Sequence, residues 1–211
     1  MKITNIIEEA HSQTTGEYIA VFADGKIKKI TIDEIKELAQ QPQLTDVIKE
    51  QVDNILFWFE QREKKAKQDE ENRDHCQSIA DKLHNIAVGL YHICPECGEF
   101  IDLDECEDVE KDGETLKTCS CCNVTLDPNE AEQASLYNYF DDVFDIKYIT
   151  DYKKEYIAVI ACVAWGGPAI YVDTHKEVVR LHWWGDYADY PLSYEAINAI
   201  DEYFEDYFNC I

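Results

Sequence analysis

The chain predicts an α+β protein, and three features of its 211 residues carry that reading. Two C-x-x-C pairs lie 21 residues apart near the middle. Helical apolar spacing and charged runs dominate the N-terminal side of these pairs, and short β-rich runs broken by turn residues dominate the C-terminal side. The expected architecture is an N-terminal hairpin plus helices over 1–93, a central ribbon of the zinc type over 94–127, and a C-terminal acidic α+β domain over 128–211. That last part is expected to be an antiparallel β-meander with a closing helix.

Glu17 to Phe22 reads as a strand, Asp24-Gly25 as a two-residue hairpin turn, and Lys26 to Ile30 as the returning strand. Thr31 or Asp33 caps a helix through Leu38, and Pro42 ends it because proline has no N–H to donate. From Leu44 the apolar positions Leu44, Ile48, Val52, Ile55 and Phe59 recur at helical steps, with Thr45 or Asp46 near the start. Ile55 to Phe59 is apolar on every side and calls for a partner surface. Glu60 to His75 carries mixed charge with no apolar stripe, the pattern of a solvated helix, with a flexible link as the other reading. Ile79, Leu83, Ile86 and Leu90 then restore a stripe over Cys76 to Tyr91. A single helix from Leu44 to Tyr91 would be about 70 Å long and would suit a homodimer formed through 44–91. A helical hairpin is the other arrangement.

Cys94-Pro95-Glu96-Cys97-Gly98 and Cys119-Ser120-Cys121-Cys122-Asn123 each place two thiolates where they can clasp one side of a tetrahedral ion. Gly98 and Asn123 tolerate the left-handed backbone that lets amides point at sulfur. The expected zinc ligands are Cys94, Cys97, Cys119 and Cys122. Cys121 rivals the fourth, with Cys106 and His92 behind it, and disulfides or unligated thiols are the alternative chemistry. Four protein ligands leave no coordination position for water, so such a site folds the chain and does not catalyse. Nine cysteines, clustered and odd in number, with no signal-like N-terminus, point to a reducing cytoplasm. No apolar run approaches the roughly 18 residues that a membrane span needs. Asp102 to Glu110 lacks the ordered oxygens and turn glycine of a calcium loop and reads as a solvated acidic loop, with an interaction surface as the alternative.

Pro128, with Asp127 as cap, is expected to start a helix through Phe140. Ile146 to Ile149, Glu155 to Ala164, Ala169 to Val172 and Glu177 to Trp183 read as strands. Ser193 caps a final helix whose stripe is Ile197, Ile200, Phe204 and Phe208.

The formal net charge is −25, unevenly divided. Residues 1–93 carry 12 basic and 17 acidic side chains, a net of −5, whereas 94–211 carry 7 and 27, a net of −20. Affinity for nucleic-acid phosphates comes from Lys and Arg releasing counterions, so direct DNA or RNA binding is excluded and a basic partner surface is implied. Asp201, Glu202, Glu205 and Asp206 form two i, i+4 pairs on the last helix, and Asp141, Asp142, Asp145, Asp186 and Asp189 add to them. Carboxylates about 6 Å apart on a rigid element approximate phosphate spacing, and these nine are the candidate partner-binding groups. A merely solvated face is the bland alternative.

Enzyme motifs are absent: there is no G-x-S-x-G, P-loop, H-E-x-x-H or dinucleotide glycine pattern. His175 and His182, near Asp173 and Asp186, are the only acid–base candidates singled out. The stretch Gly166-Gly167-Pro168-Ala169-Ile170-Tyr171-Val172-Asp173-Thr174, followed by Leu181-His182-Trp183-Trp184-Gly185-Asp186 and the Leu192 to Phe208 helix, resembles small acidic proteins of bacteriophages and mobile elements. The resemblance covers about a quarter of the chain. It implies an anti-defence setting, in which anti-restriction and anti-CRISPR proteins block the nucleic-acid site of a host complex in the host cytoplasm. The expectation is therefore a non-enzymatic inhibitor that mimics phosphate charge; the alternative is a zinc-ribbon interaction adaptor for transcription or phage assembly.

Overall fold

The computed structural model describes residues 3–8, 17–22, 26–41, 44–111 and 114–210. The turn expected at Asp24-Gly25 and the helix stop expected at Pro42 lie outside them. The chain divides into two compact units, Met1–Gln68 and Asp69–Ile211.

In the first unit, β2 (Glu17–Phe22) and β3 (Ile27–Thr31) form the expected antiparallel pair, and β1 (Ile3–Glu8), which periodicity did not reveal, adds to the other edge of β2. Thr31 both ends β3 and caps α1 (Ile32–Ala39). Glu34 N donates to Thr31 Oγ1 at 3.4 Å while Thr31 N donates to Glu34 Oε2 at 2.9 Å, a reciprocal box that satisfies two otherwise orphaned amides. Alternate residues of β2, Tyr18 and Ala20, are buried with Ile6, Ile30, Ile35, Ile48 and Val52. Ile48 and Val52 come from α2 (Asp46–Ala87), so the predicted stripe faces this core. Within the all-apolar run, Ile55 and Leu56 pack on it and Phe57 and Trp58 remain exposed, edge to face at 5.4 Å.

Helix α2 is one element of 42 residues, which rules out the hairpin. Between Glu60 and His75 every side chain except Arg62 and Asn72 is exposed, as mixed charge without a stripe predicts. Cys76, Ala80, Leu83 and Ile86 are then buried among residues of the second unit. Residues 69–93, grouped by composition with the N-terminal half, therefore belong by packing with the C-terminal one. The helix ends at a left-handed Gly89 with φ 77°: Gly89 N donates to Ile86 O at 3.1 Å and Leu90 N to Asn85 O at 2.8 Å, a Schellman cap. Leu90, expected in the stripe, lies beyond this cap and is exposed.

In the second unit, β4 (Tyr91–Ile93) lies between β5 (Phe100–Asp102) and β9 (Glu132–Gln133), while β6 (Glu107–Lys111), β7 (Glu114–Thr118) and β8 (Thr125–Leu126) make a second small sheet. Two expectations are corrected here. The acidic run from Asp102 to Glu110 is not a loop throughout, because its second half is the exposed strand β6, held by its ladder with β7. Pro128 does not start a helix: Asn129 N donates to Asp127 Oδ1 at 2.8 Å, closing a turn, and the chain then pairs with β4 as β9. The helix begins later, as α3 (Leu136–Phe140), capped by Ser135 Oγ accepting from Asn138 N at 3.4 Å.

The largest sheet is an antiparallel meander, β10 (Asp145–Thr150), β11 (Tyr156–Ala164), β12 (Ala169–Asp173), β13 (Val178–Trp183) and β14 (Asp186–Pro191), ordered as in the chain. Four of these strands match the sequence reading; β14 was missed, because its two aspartates and proline disfavour a strand. Ser193 Oγ accepts from Ala196 N at 3.2 Å and starts α4 (Tyr194–Asn209), the expected closing helix. Ile200 and Phe204 are buried against Val159, Ala161, Val172 and Val179, while Ile197 and Phe208 are half-buried. Cys76, Leu83 and Ile86 of α2 join the same core, and Cys76 Sγ lies 3.5 Å from Ala188 O of β14. One face of the sheet is thus closed by helices. Among the described residues no helix is long and apolar enough to cross a membrane.

Phe204 has its ring centroid 4.9 Å from those of both Phe140 and Tyr203. Phe204→Ala should lower the stability of the second unit by about 3–5 kcal/mol, the usual cost of removing a core aromatic. The check is urea denaturation followed by tryptophan fluorescence, with the two units allowed separate transitions.

Candidate metal centre

The two knuckles adopt the same backbone. Gly98 N donates to Cys94 O at 2.8 Å and Asn123 N to Cys119 O at 2.9 Å; Cys94 N donates to Glu99 O and Cys119 N to Val124 O, each at 2.9 Å. The residue after the second cysteine of each pair is left-handed, Gly98 at φ 72° and Asn123 at φ 59°, as the sequence implied. Like residues therefore take like positions: Cys94 and Cys119 are buried, and Cys97 and Cys122 lie nearer the surface.

Face to face, the knuckles bring Cys94, Cys97, Cys119 and Cys122 into one group whose sulfurs all lie within 4.8 Å of one another. Cys94 Sγ is 3.6 Å from Cys122 Sγ, and Cys97 Sγ is 3.8 Å from Cys119 Sγ. A disulfide needs about 2.05 Å, so these are four thiols around a common centre, and they can hold a metal ion. The Cys122 amide, followed by that of Cys121, lowers the Cys119 thiol to about 7, whereas burial, with the sulfurs around them, pushes Cys97 and Cys122 up, so the four thiols titrate as a group. Cys121 is exposed and outside the group. Cys106 packs against the small core of Cys94, Ile101, Cys119 and Leu126, and His92 lies in β4 between Ile101 and Gln133.

The nine carboxylates do not form one array. Asp145 opens β10 while Asp186 and Asp189 lie on β14, the opposite edge of the sheet. With strands about 4.8 Å apart those edges are separated by about 19 Å. Lys147 Nζ lies 3.6 Å from Asp145. Arg180 donates through Nε and Nη2 to the two oxygens of Asp189 at 2.7 and 2.5 Å. Asp201, expected on the outer face of α4, turns inward, where its Oδ1 accepts from Tyr156 Oη and Thr174 Oγ1, both at 2.7 Å. Burial, reinforced by that carboxylate, pushes the Tyr156 phenol up. Glu202, Glu205 and Asp206 on α4, with Asp141 and Asp142 after α3, are exposed.

His175 and His182 are exposed, and Asp173 Oδ1 accepts from Lys176 N at 2.9 Å, which uses it to close the β12–β13 turn. A contact that no local pattern could reveal brings His84 Nδ1 to 2.8 Å from Ser193 Oγ and 3.8 Å from Glu195 Oε2. Both partners address the same ring nitrogen. The imidazole therefore cannot stand between a nucleophile and an orienting carboxylate, as a serine hydrolase requires.

The Arg180 guanidinium holds the Asp189 carboxyl below its usual range. The pair's contribution to stability is then complete above the unfolded value of about 3.9 and is lost as pH falls through the lower folded value. The gap in urea midpoint between wild type and Asp189→Asn should be widest near neutral pH and close below about pH 3. Comparison with family models, with curated proteins and with solved structures returns no match to this chain.

Proposed function

We propose that this chain is a non-enzymatic binding protein, stapled at its ribbon by zinc on Cys94, Cys97, Cys119 and Cys122. Its acidic C-terminal half takes the place of nucleic acid on a basic surface of another protein. The closed four-sulfur group carries the reading. A tetrahedral site with Zn–S bonds of about 2.3 Å has sulfur–sulfur edges of about 3.8 Å, against 3.6 and 3.8 Å for the two close pairs here. With all four positions taken by protein, the ion orders the fold and offers substrate nothing. The net charge of −20 over 94–211 favours a cationic partner. The resemblance of the C-terminal stretch suggests a restriction or CRISPR effector in a host cytoplasm as that partner.

A second reading, an interaction adaptor whose acidity serves solubility, is favoured by the internal use of Asp189 and Asp201, which leaves fewer carboxylates to imitate phosphate.

Elemental analysis of the purified chain should find one zinc per molecule, and Cys94→Ser or Cys97→Ser should abolish it while the five-stranded sheet stays folded by circular dichroism. Iron in its place would name a different ion, and metal-free protein with an ordered ribbon would remove the staple. The partner reading is separable from it. Replacing Asp141, Asp142, Glu202, Glu205 and Asp206 by their amides should weaken displacement of labelled DNA from a susceptible restriction or CRISPR effector by about tenfold or more and flatten its salt dependence. Undiminished displacement would favour the adaptor.

A further inference from the structure

Because the large sheet is a meander, its β11–β12 and β13–β14 turns and the entry to β10 all fall at one end. Each presents an aromatic side chain to solvent: Trp165 is 68% exposed, Trp184 94% and Phe144 63%. Tyr187, paired with His182 just inside the second turn, is 70% exposed. With strands about 4.8 Å apart, the turns that carry Trp165 and Trp184 are about 10 Å apart along this rim, within the footprint of one short peptide.

Trp184 is the sharpest observation. Trp183 pairs with Asp186, so Trp184-Gly185 is a two-residue hairpin loop, and both residues have positive φ, 45° and 95°. This is the type I′ turn, whose first position favours Asn, Asp or Gly and penalises a bulky side chain. The indole occupies a disfavoured backbone and contributes almost no burial in return. Nothing within the fold requires tryptophan there, whereas hot spots at protein interfaces are rich in Trp and Tyr.

The surroundings select the occupant. Asp145 opens β10 and Asp186 opens β14, both at this end, and Asp141 and Asp142 precede β10 by a few residues, in a half of the chain with net charge −20. That field repels nucleic acid, anionic lipid and a second copy carrying −25. Carboxylates interleaved with aromatic faces instead suit arginine and lysine, which pair with the former and stack on the latter. The rim already contains one such contact, Arg180 lying 6.0 Å from the centroid of Tyr187.

We infer that the sheet end bearing Phe144, Trp165, Trp184 and Tyr187 is a docking surface for an arginine-rich peptide segment of a partner protein. This rests on the reading of the chain as a binder of cationic partners and assigns the place of contact. The test uses the full-length protein and fluorescein-labelled deca-arginine, followed by anisotropy at about 150 mM salt, where diffuse charge attraction is largely screened. Saturable binding is expected, weakened about tenfold or more by Trp165→Ala with Trp184→Ala. Tyr152→Ala, at the opposite end of the sheet, should leave it unchanged. Trp184→Asn creates the preferred type I′ pair, so it should keep or raise the melting temperature while weakening binding; loss of both would mean the indole is structural. Peptide binding that ignores the two tryptophans but falls when the α4 carboxylates are neutralised removes this surface and leaves the general reading. Absence of saturable binding removes both. Preference for a single-stranded oligonucleotide, or self-association lost with the tryptophans, would reassign the rim.

Discussion

Four cysteine sulfurs within 4.8 Å of one another are the constraint on which the middle of this molecule depends. The apolar core beside them is only Cys94, Ile101, Cys119 and Leu126, with a few half-buried neighbours. Strands of two to five residues cannot be held by so little burial, and domains this small ordinarily need a metal or a covalent staple. Four thiolates at this separation would repel one another without a cation between them. An ion held there would remove that repulsion and fix both knuckles at once, and its binding and ribbon folding would then be one equilibrium.

That constraint reaches beyond the ribbon through β4, which leads directly into the first knuckle and lies between β5 and β9. Gln133 Nε2 donates to Gly89 O at 3.0 Å and Ala134 N to Tyr91 O at 2.9 Å. The cap of α2, the first knuckle and the entry to α3 are thereby in one hydrogen-bonded register. Gly89 is fixed there by its left-handed backbone, and a Cβ would in addition displace the Gln133 amide from its bond to Gly89 O. The five-stranded sheet relies on a different force, burial of one apolar face under α4 and the second half of α2. The four-cysteine group and the hydrophobic core thus lie in separate parts of the second unit, so loss of either can be followed separately.

Acidity serves more than one role here. Asp201 ties α4 to β11 and to the β12–β13 turn, Asp189 neutralises Arg180 across β13 and β14, and Asp173 closes a turn. The charge that remains exposed gives the surface its sign, and Phe144, Trp165, Trp184 and Tyr187 stand exposed beside part of it. Electrostatics of this kind sets encounter rate and partner class, whereas buried aromatic contact sets residence and register.

Much of this was legible in the residues themselves. The C-x-x-C pairs with Gly98 and Asn123, the Thr31 and Ser193 caps, the Ile48-Val52 and Ile200-Phe204 stripes and four strands of the meander are local signals, written in spacings shorter than one element. What the sequence could not disclose was decided between elements. Glu132-Gln133 became a strand because β4 offered an open edge, and β14 formed despite its aspartates because β13 did. Asp201 turned inward because Tyr156 and Thr174, distant in the chain, waited there with hydroxyls. Trp165 and Trp184 share one rim only because alternate turns of an antiparallel meander fall at the same end. Periodicity and motif chemistry are properties of neighbours along the chain, and partnership across space is not; the first determined most of the elements and the four-cysteine group, and the second alone decided which charges and rings stay exposed.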